Sequence, residues 1–263
     1  MPAPVNTVVS LTLAAAPLLT LLLAAWVVGR GVEQAAPSVG LSRVAIADLT
    51  IALVMTTVVS ARVLAIVPTW RGVITNPLDL LRFTGSGQLS PLGGALGAAL
   101  GLLIFTRRRA LPLLRTADLY GLMLPLGIAV HSGGCLLRGD CYGAVAPAPF
   151  GIVFPGFELP RYPVGLYAAA LALFAYAGLA WFAQRKPPPG AVSIAALASL
   201  AVMYAGLAPL GSAGAPGVFE GPTAFFIAIA LTGTLIVQIG WLVSLRRPAT
   251  FASSEDAASR RPG

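Results

Sequence analysis

The chain has 263 residues, of which 57% are hydrophobic and only 10% are charged. A mean hydropathy of +0.86 excludes an ordinary soluble globular domain and indicates a protein largely immersed in lipid. The formal net charge of +8 does not indicate a nucleic-acid partner, because the basic residues lie in connecting loops and are not interleaved with aromatic residues.

Seven apolar segments predict an all-α, polytopic membrane protein with about seven transmembrane helices. A helix rises about 1.5 Å per residue and needs about 20 residues to cross the hydrocarbon core, a length that all segments but the third reach comfortably. Residues 1–10 contain no Lys or Arg, so we expect the first segment to be a retained helix rather than a signal peptide. The segments are 6–28, 44–67, 91–106, 117–137, 164–183, 191–213 and 223–245.

The distribution of basic residues predicts the orientation of these helices. With the N-terminus outside, the cytoplasmic loops and tail hold twelve Arg and Lys residues, and the outer loops hold four. The sequence therefore predicts an N-out, C-in membrane protein. We expect one transmembrane domain over residues 1–245, with an outer-face loop over 138–163, and a disordered cytoplasmic tail over 246–263.

Several residues inside the segments have alternative interpretations. Arg62 lies near the outer end of the second segment, where its side chain either faces the bundle interior or snorkels to the interface. Gly93, Gly97 and Gly101 form a small face that favours close helix packing, with approach of a lipid headgroup as the alternative. Asp118 opens the fourth segment, and we expect it to be a helix N-cap or a first-turn carboxylate.

Two connections also have predictable features. Residues 184–190 contain three consecutive prolines and predict a stiff turn between the fifth and sixth helices. In the outer loop, the apolar run 150–154 is expected to form a short strand or to lie on the membrane surface. Tyr167, one turn inside the fifth segment, is expected in the interfacial aromatic belt.

The most distinctive chemistry lies in residues 131–143. Within this stretch fall the only histidine and both cysteines of the chain, together with an arginine and an aspartate: His131, Cys135, Arg138, Asp140 and Cys141. Polar groups at the edge of a bilayer core are costly, so this cluster is a candidate functional site. The alternative is a glycine-rich helix end that carries ordinary interfacial charges.

The two cysteines allow four interpretations. Cys135 and Cys141 are six residues apart, and outside the cell they could form a disulfide, remain buried free thiols or act as a redox pair. With His131 and Asp140 they would suffice chemically as zinc ligands. Their spacing matches no standard zinc motif, however, so we expect no metal.

Several blocks between residues 44 and 183 resemble the prolipoprotein diacylglyceryl transferase family, a seven-helix membrane enzyme fold. Its signature Gly-Arg-x-Gly-Asn-Phe-x-Asn-x-Glu-x-x-Gly resembles residues 131–143 through Gly134, Gly143 and Asp140, with aspartate in place of glutamate. Tyr142 with Gly143 resembles the usual Tyr-Gly ending of that signature. Residues 60–62, 92–97, 150–155 and 161–167 resemble the family blocks Gly-Ala-Arg, His-Gly-Gly-Leu-Ile-Gly, Trp-Gly-Val-Val-Phe-Pro and Arg-His-Pro-Thr-Gln-Leu-Tyr.

This resemblance implies a reaction. The family moves a diacylglyceryl group from phosphatidylglycerol to the cysteine thiol of a lipoprotein precursor, with no cofactor, and releases glycerol phosphate. The thiol must lose its proton to become the nucleophile, and a cation should bind the phosphate that leaves. The predicted partners are therefore phosphatidylglycerol and a lipoprotein-precursor peptide.

Residue types suggest how these tasks are divided. An unperturbed imidazole titrates near neutrality, so His131 is the candidate base, assisted by Asp140; the alternative is a histidine that caps a helix end. Arginine binds phosphate bidentately and stays charged. The predicted substrate-binding residues are Arg62, Arg138, Arg161, Gly93, Gly94, Gly134, Tyr142 and Gly143.

Polar side chains of the family pattern are replaced at several positions. Leu92 stands where the family has histidine, Ser132 where it has arginine, and Cys135 and Arg138 where it has asparagine. Two alternative functions follow from these residues. One is a catalytically silent relative that binds phospholipid or an exported protein, and the other is a thiol–disulfide membrane protein that uses the two cysteines.

Overall fold

A computed structural model describes residues 5–66, 90–139 and 141–211 of the chain. These residues form six α-helices and one long loop. The helices are α1 (Val5–Ala35), α2 (Arg43–Ile66), α3 (Pro91–Arg108), α4 (Leu113–Leu137), α5 (Val164–Gln184) and α6 (Ala191–Leu207), and a 3-10 turn over Ala208–Leu210 extends α6.

Four of the described helical stretches are long and apolar enough to cross a membrane. They are Arg43–Ile66, Leu113–Leu137, Val164–Gln184 and Ala191–Leu210. The predicted all-α, polytopic membrane fold is therefore confirmed. The predicted seventh segment, 223–245, and the predicted tail, 246–263, lie outside the described residues.

The bundle has two ends that differ in their connections. We call the end that carries residues 138–163 the loop end; α4 finishes there, α5 starts there and α6 finishes there. We call the opposite end, which carries residues 36–42, 109–112 and 185–190, the turn end. At the turn end Gly190 has a φ of +93°, and it stands directly before α6 after the three prolines, so the predicted position of a turn between these two helices is confirmed.

The glycine face of α3 packs on α2. A Cβ on Gly97 would meet Ser60 Cβ at 2.7 Å, and a Cβ on Gly93 would meet Ala61 Cα at 2.8 Å. Gly101 is likewise in close contact with Thr56. Only residues without a side chain allow this approach, and the predicted helix-packing role of the small face is confirmed.

Two buried apolar clusters hold the other helices around α4. One joins α4, α5 and α6 at the loop-end half of the bundle, and the other joins α1, α2 and α4 at the turn-end half. Representative members of the first cluster are Ala129, Val164, Leu200 and Met203, and of the second Val32, Ile46, Leu49 and Leu119.

Asp118 has a different role from the predicted one. Helix α4 begins at Leu113, directly after Pro112, so Asp118 lies in its second turn and does not cap it. Its carboxylate instead accepts hydrogen bonds from the backbone N–H groups of Gly190 at 2.6 Å and Ser193 at 2.8 Å. The prediction of an N-cap or first-turn carboxylate of the fourth helix was therefore wrong, since Asp118 caps α6.

Two polar contacts join α2 to neighbouring elements near the turn end. Asp48 of α2 pairs with Arg109 at 3.1 Å, and the hydroxyls of Thr50 and Tyr120 hydrogen-bond at 2.6 Å. Helix α2 is thereby attached to α4 and to the α3–α4 turn at this end of the bundle.

Candidate functional site

The last turns of α4 lie against α1. A Cβ on Gly134 would collide with the Thr20 side chain of α1, so the absence of a side chain allows the two helices to approach closely. Arg138, one turn further, is the C-cap residue of α4 and donates a hydrogen bond from Nη1 to the Thr20 hydroxyl at 2.9 Å. The guanidinium of Arg138 is therefore directed across the end of α4 toward α1.

His131 lies on the same side of α4 as Arg138. The two residues are seven apart, which is about two helical turns, so their side chains project from nearly the same face. The Nδ1 atom of His131 is buried and has no hydrogen-bond partner among the residues that the structure describes. A buried nitrogen without a partner costs free energy, which makes His131 a candidate for binding a substrate proton or a ligand.

A disulfide attaches the long loop to α4. Cys135 in the last turns of α4 is bonded to Cys141, with a Cα–Cα distance of 5.7 Å. Between them the chain reverses through Gly139 at a φ of +75°, followed by Cys141 at +21°. The two sulfurs are thus joined to each other, and the loop starts at a fixed point close to Arg138.

Backbone hydrogen bonds fold the loop back on itself and on α6. The amide of Gly143 donates to Tyr162 O at 2.8 Å, and that of Ala144 donates to Leu210 O at 2.9 Å. Ile152 and Arg161 form a single antiparallel bridge. Within the run 150–154 only Ile152 is paired in this way. The run therefore does not form the short strand that was one of the two expectations for it.

Arg161 is held in an aromatic cluster within this loop. Its guanidinium carbon lies 4.1 Å from the ring centroid of Phe157 and 5.4 Å from that of Tyr142. Its Nη1 donates to Gly143 O at 3.2 Å. The Nε atom is buried without a hydrogen-bond partner in the described part of the chain. Cation–π contacts thus fix the plane of the guanidinium and leave hydrogen-bonding capacity for a ligand.

Arg62 lies inside the protein rather than at the interface. Its residue is only 9% exposed, which favours the interior interpretation over snorkelling. Beside it, Gly93 N–H donates to the Ser90 hydroxyl at 3.2 Å, and Ser90 N–H donates to Ala61 O at 2.9 Å. Gly93 and its neighbour Gly94 are therefore packed against α2 at the level of Arg62.

The contacts assign the predicted site residues to three groups. Tyr142, Gly143 and Arg161 form the loop group; Gly134, Arg138 and His131 form the α4 group; Gly93, Gly94 and Arg62 form the α2–α3 group. The disulfide joins the loop group to the α4 group. Asp140 lies outside the described residues.

Sequence reasoning missed Thr20 and Phe157. Thr20 accepts from Arg138 across 118 residues of sequence, and Phe157 stacks on Arg161 within the proline-rich loop. Neither residue carries a spacing signal that could have identified it. Tyr167, expected in the aromatic belt, donates its hydroxyl proton to Phe150 O at 2.7 Å and thereby ties the loop to α5.

Together these features define a polytopic helical membrane protein with imidazole and guanidinium groups gathered toward one end of its bundle. The profile of the prolipoprotein diacylglyceryl transferase family matches residues 10–207. The chain belongs to this family.

Three curated relatives illustrate the similarity, and all three carry the name phosphatidylglycerol–prolipoprotein diacylglyceryl transferase. The relative from Wolbachia sp. subsp. Drosophila simulans is 35% identical over 140 residues, which is 51% of each chain. That from Bordetella avium is 32% identical over 123 residues, 46% of each chain. That from Rhizobium meliloti is 33% identical over 116 residues, 43% of this chain and 41% of the relative. The chain spans about half the length of the curated relatives it matches.

Proposed function

We propose that this protein transfers the diacylglyceryl group of phosphatidylglycerol to the cysteine thiol of a lipoprotein precursor. Membership of the family over residues 10–207 supports the reaction class. The observation that carries the proposal is the buried Nδ1 of His131, which has no hydrogen-bond partner among the described residues and lies on the α4 face that also presents Arg138. A base and a phosphate-binding cation on one face are what the reaction requires.

Phosphate binding is assigned to arginines. The guanidinium of Arg138 is oriented by Thr20, and that of Arg161 by Phe157 and Tyr142. Both groups are therefore held in place before the lipid binds, and little conformational entropy is lost on binding. Both present fixed N–H donors that match phosphate oxygens. Arg62, buried in α2, is the third candidate for this role.

Proton transfer is assigned to His131. In the proposed step the precursor thiol gives its proton to Nδ1 of His131. The resulting thiolate attacks the carbon of the diacylated glycerol that is bonded to the phosphate oxygen. A sulfur–carbon bond forms as the carbon–oxygen bond to phosphate breaks. The departing glycerol phosphate carries the electron pair of the broken bond and takes up the proton from His131. Asp140 is proposed to orient His131 or to pair with Arg138.

The remaining predicted residues are assigned to shaping the headgroup site. Gly134 lets the end of α4 approach α1, Gly143 lets the start of the loop approach the end of α6, and Tyr142 adds an aromatic surface beside Arg161. Gly93 and Gly94 support Arg62 through the α2–α3 contact.

The proposed setting is the bacterial inner membrane. An N-out, C-in orientation follows from twelve basic residues in the loops assigned to the cytoplasm and four in the outer loops. The loop end, with His131, Arg138 and Arg161, would then face outward, where exported precursors arrive. A single transmembrane domain over 1–245 and a cytoplasmic tail over 246–263 complete this proposal.

Purified full-length protein, given radiolabelled phosphatidylglycerol and a peptide with a lipoprotein-type cysteine, tests the proposal. We expect label on the peptide, with transfer falling about 100-fold or more in His131→Gln and in Arg161→Gln. Arg185→Gln is the matched control, because Arg185 stacks on Trp181 at 3.6 Å at the turn end. Equal transfer by His131→Gln and the control would refute the role of His131.

A catalytically silent relative is the second candidate. The family arginine is replaced by Ser132, which is 7% exposed and lies where α4 packs closely on Gly165 of α5. This position contributes no charge to the site. Binding of phosphatidylglycerol without any labelled peptide, and failure to rescue a bacterial strain that lacks its own transferase, would favour this candidate.

A thiol–disulfide function is the third candidate, since Cys135 and Cys141 are paired. It predicts that the double variant Cys135→Ser, Cys141→Ser loses the protein's activity, including any labelling of the peptide. Full transfer by the folded double variant would exclude it.

A further inference from the structure

We propose that an open groove between α1, α4 and α5 is a second lipid site, which binds an anionic glycerophospholipid and takes no part in the transfer reaction. The groove has a volume of about 520 Å³. This volume is within the range of about 300–1,000 Å³ that is usual for small-molecule sites. Its main lining residues are Trp26, Arg30 and Gln34 of α1, Met123 and Leu126 of α4, and Tyr176 of α5.

The groove is separate from the proposed transferase site. Leu126 lines the groove, and His131 follows five residues later on α4. At about 100° per residue the two side chains point about 140° apart around the helix. The groove also continues along α1 toward the turn end, since Gln34 lies in the last turn of α1. The groove therefore lies nearer the turn end of α4 than His131 and Arg138 do.

The polar end of the groove suits a phosphate group. Arg30 and Gln34 are one helical turn apart on α1, so both side chains reach the same part of the groove. Arg30 also pairs with Glu33 at 3.4 Å, but this pair is solvent-exposed and contributes little. The guanidinium has five N–H donors, so it still has donors for a phosphate oxygen. Gln34 adds a neutral amide donor.

The rest of the groove suits an acyl chain. Trp26, Met123, Leu126 and Tyr176 give it apolar and aromatic walls, and α4 and α5 are long and apolar enough to span the bilayer. Among the described residues the groove is open, so its apolar walls are accessible to an acyl chain. A Cβ on Gly31 would meet Met123 Sδ at 2.6 Å, so α1 and α4 are in close contact beneath the groove. The groove therefore exists without a bound ligand. The headgroup phosphate of a phospholipid matches the positive charge of Arg30, and its acyl chain matches the apolar walls.

Quenching of single tryptophans by lipids with brominated acyl chains tests this proposal. One full-length protein keeps Trp26 and carries Trp70→Phe, Trp181→Phe and Trp241→Phe. A matched control keeps Trp181, an exposed tryptophan of α5 that does not line the groove and is stacked on Arg185. Brominated phosphatidylserine is compared with brominated phosphatidylcholine, because neither is the proposed transfer substrate.

We expect phosphatidylserine to quench Trp26 at about fivefold lower concentration than phosphatidylcholine, and we expect Arg30→Gln to leave the response of Trp181 to both lipids unchanged. Arg30→Gln should remove this preference at Trp26, and Arg185→Gln should leave it unchanged. Equal quenching of Trp26 by the two lipids, or a preference that survives Arg30→Gln, would overturn the proposal.

A second variant avoids dependence on the charge change. Leu126→Phe narrows the groove and keeps Arg30, so it should raise the phosphatidylserine concentration needed to quench Trp26. An unchanged concentration in this variant would also overturn the proposal. Peptide labelling by Arg30→Gln should stay at the level of the parent protein, which separates failure of the groove proposal from failure of the transferase proposal.

Discussion

Removal of the Asp118 carboxylate should destabilise the protein far more than removal of another aspartate at the same end of the bundle. Asp118 accepts two backbone hydrogen bonds, at 2.6 and 2.8 Å, from the start of α6. A hydrogen bond to a charged group is worth about 1.5–3 kcal/mol, and loss of a helix N-cap costs about 0.5–2 kcal/mol. We therefore expect Asp118→Ala to cost about 3 kcal/mol, because the two estimates describe the same contact and are not additive.

The matched control is Asp48→Ala. Asp48 pairs with Arg109 at 3.1 Å, but the two side chains are 44% and 54% exposed, so this pair should contribute at most about 1 kcal/mol.

Thermal unfolding of the purified protein in detergent measures the difference. At about 2–4 °C per kcal/mol for a chain of this size, Asp118→Ala should lower Tm by about 6–12 °C, and Asp48→Ala by no more than about 4 °C. Asp118→Asn, which keeps one acceptor oxygen, should fall between the two. Equal shifts for the two alanine variants would show that the cap across α4 and α6 does not stabilise the bundle.

Three further predictions concern helix contacts and the disulfide. Gly134→Ala should lower Tm by several degrees because its methyl group meets α1. Gly133→Ala should be neutral, since no described residue lies within 4 Å of its Cβ, and equal shifts would contradict this contact. Gly97→Leu should separate α2 from α3 and reduce the yield of folded protein in size-exclusion chromatography, and an unchanged elution profile would argue against the packing of the glycine face. Cys135→Ser with Cys141→Ser should cost about 2 kcal/mol in reversible unfolding, from the entropy of a short closed loop, and a double variant as stable as its parent would contradict this estimate.

The sequence predicts the helices well because membrane spans depend on local composition. The predicted segments and the described helices agree to within a few residues at most ends, although α1 continues to Ala35 rather than residue 28. The glycine face of α3 was equally predictable, since close packing of membrane helices requires small residues at four-residue spacing. Both features can be recognised within a single segment.

Contacts between distant segments could not be predicted in the same way. Asp118 lies 72 residues before the N–H of Gly190 that it caps, and nothing in its own segment indicates α6 as its partner. Likewise, a position near a helix end allows Arg62 to snorkel or to face inward, and only the surrounding helices decide between the two. The residues of the candidate site were found from their chemistry and from family resemblance, whereas their orienting partners Thr20 and Phe157 became evident only in the folded chain.

Mass spectrometry of the acceptor peptide tests the central proposal most directly. The purified protein is incubated with phosphatidylglycerol of defined acyl chains and a lipoprotein-type peptide that contains one cysteine. We expect the peptide to gain the mass of one diacylglyceryl group on that cysteine, with an equal amount of glycerol phosphate released. An unmodified peptide, in the presence of protein that is folded and binds the lipid, would contradict the account.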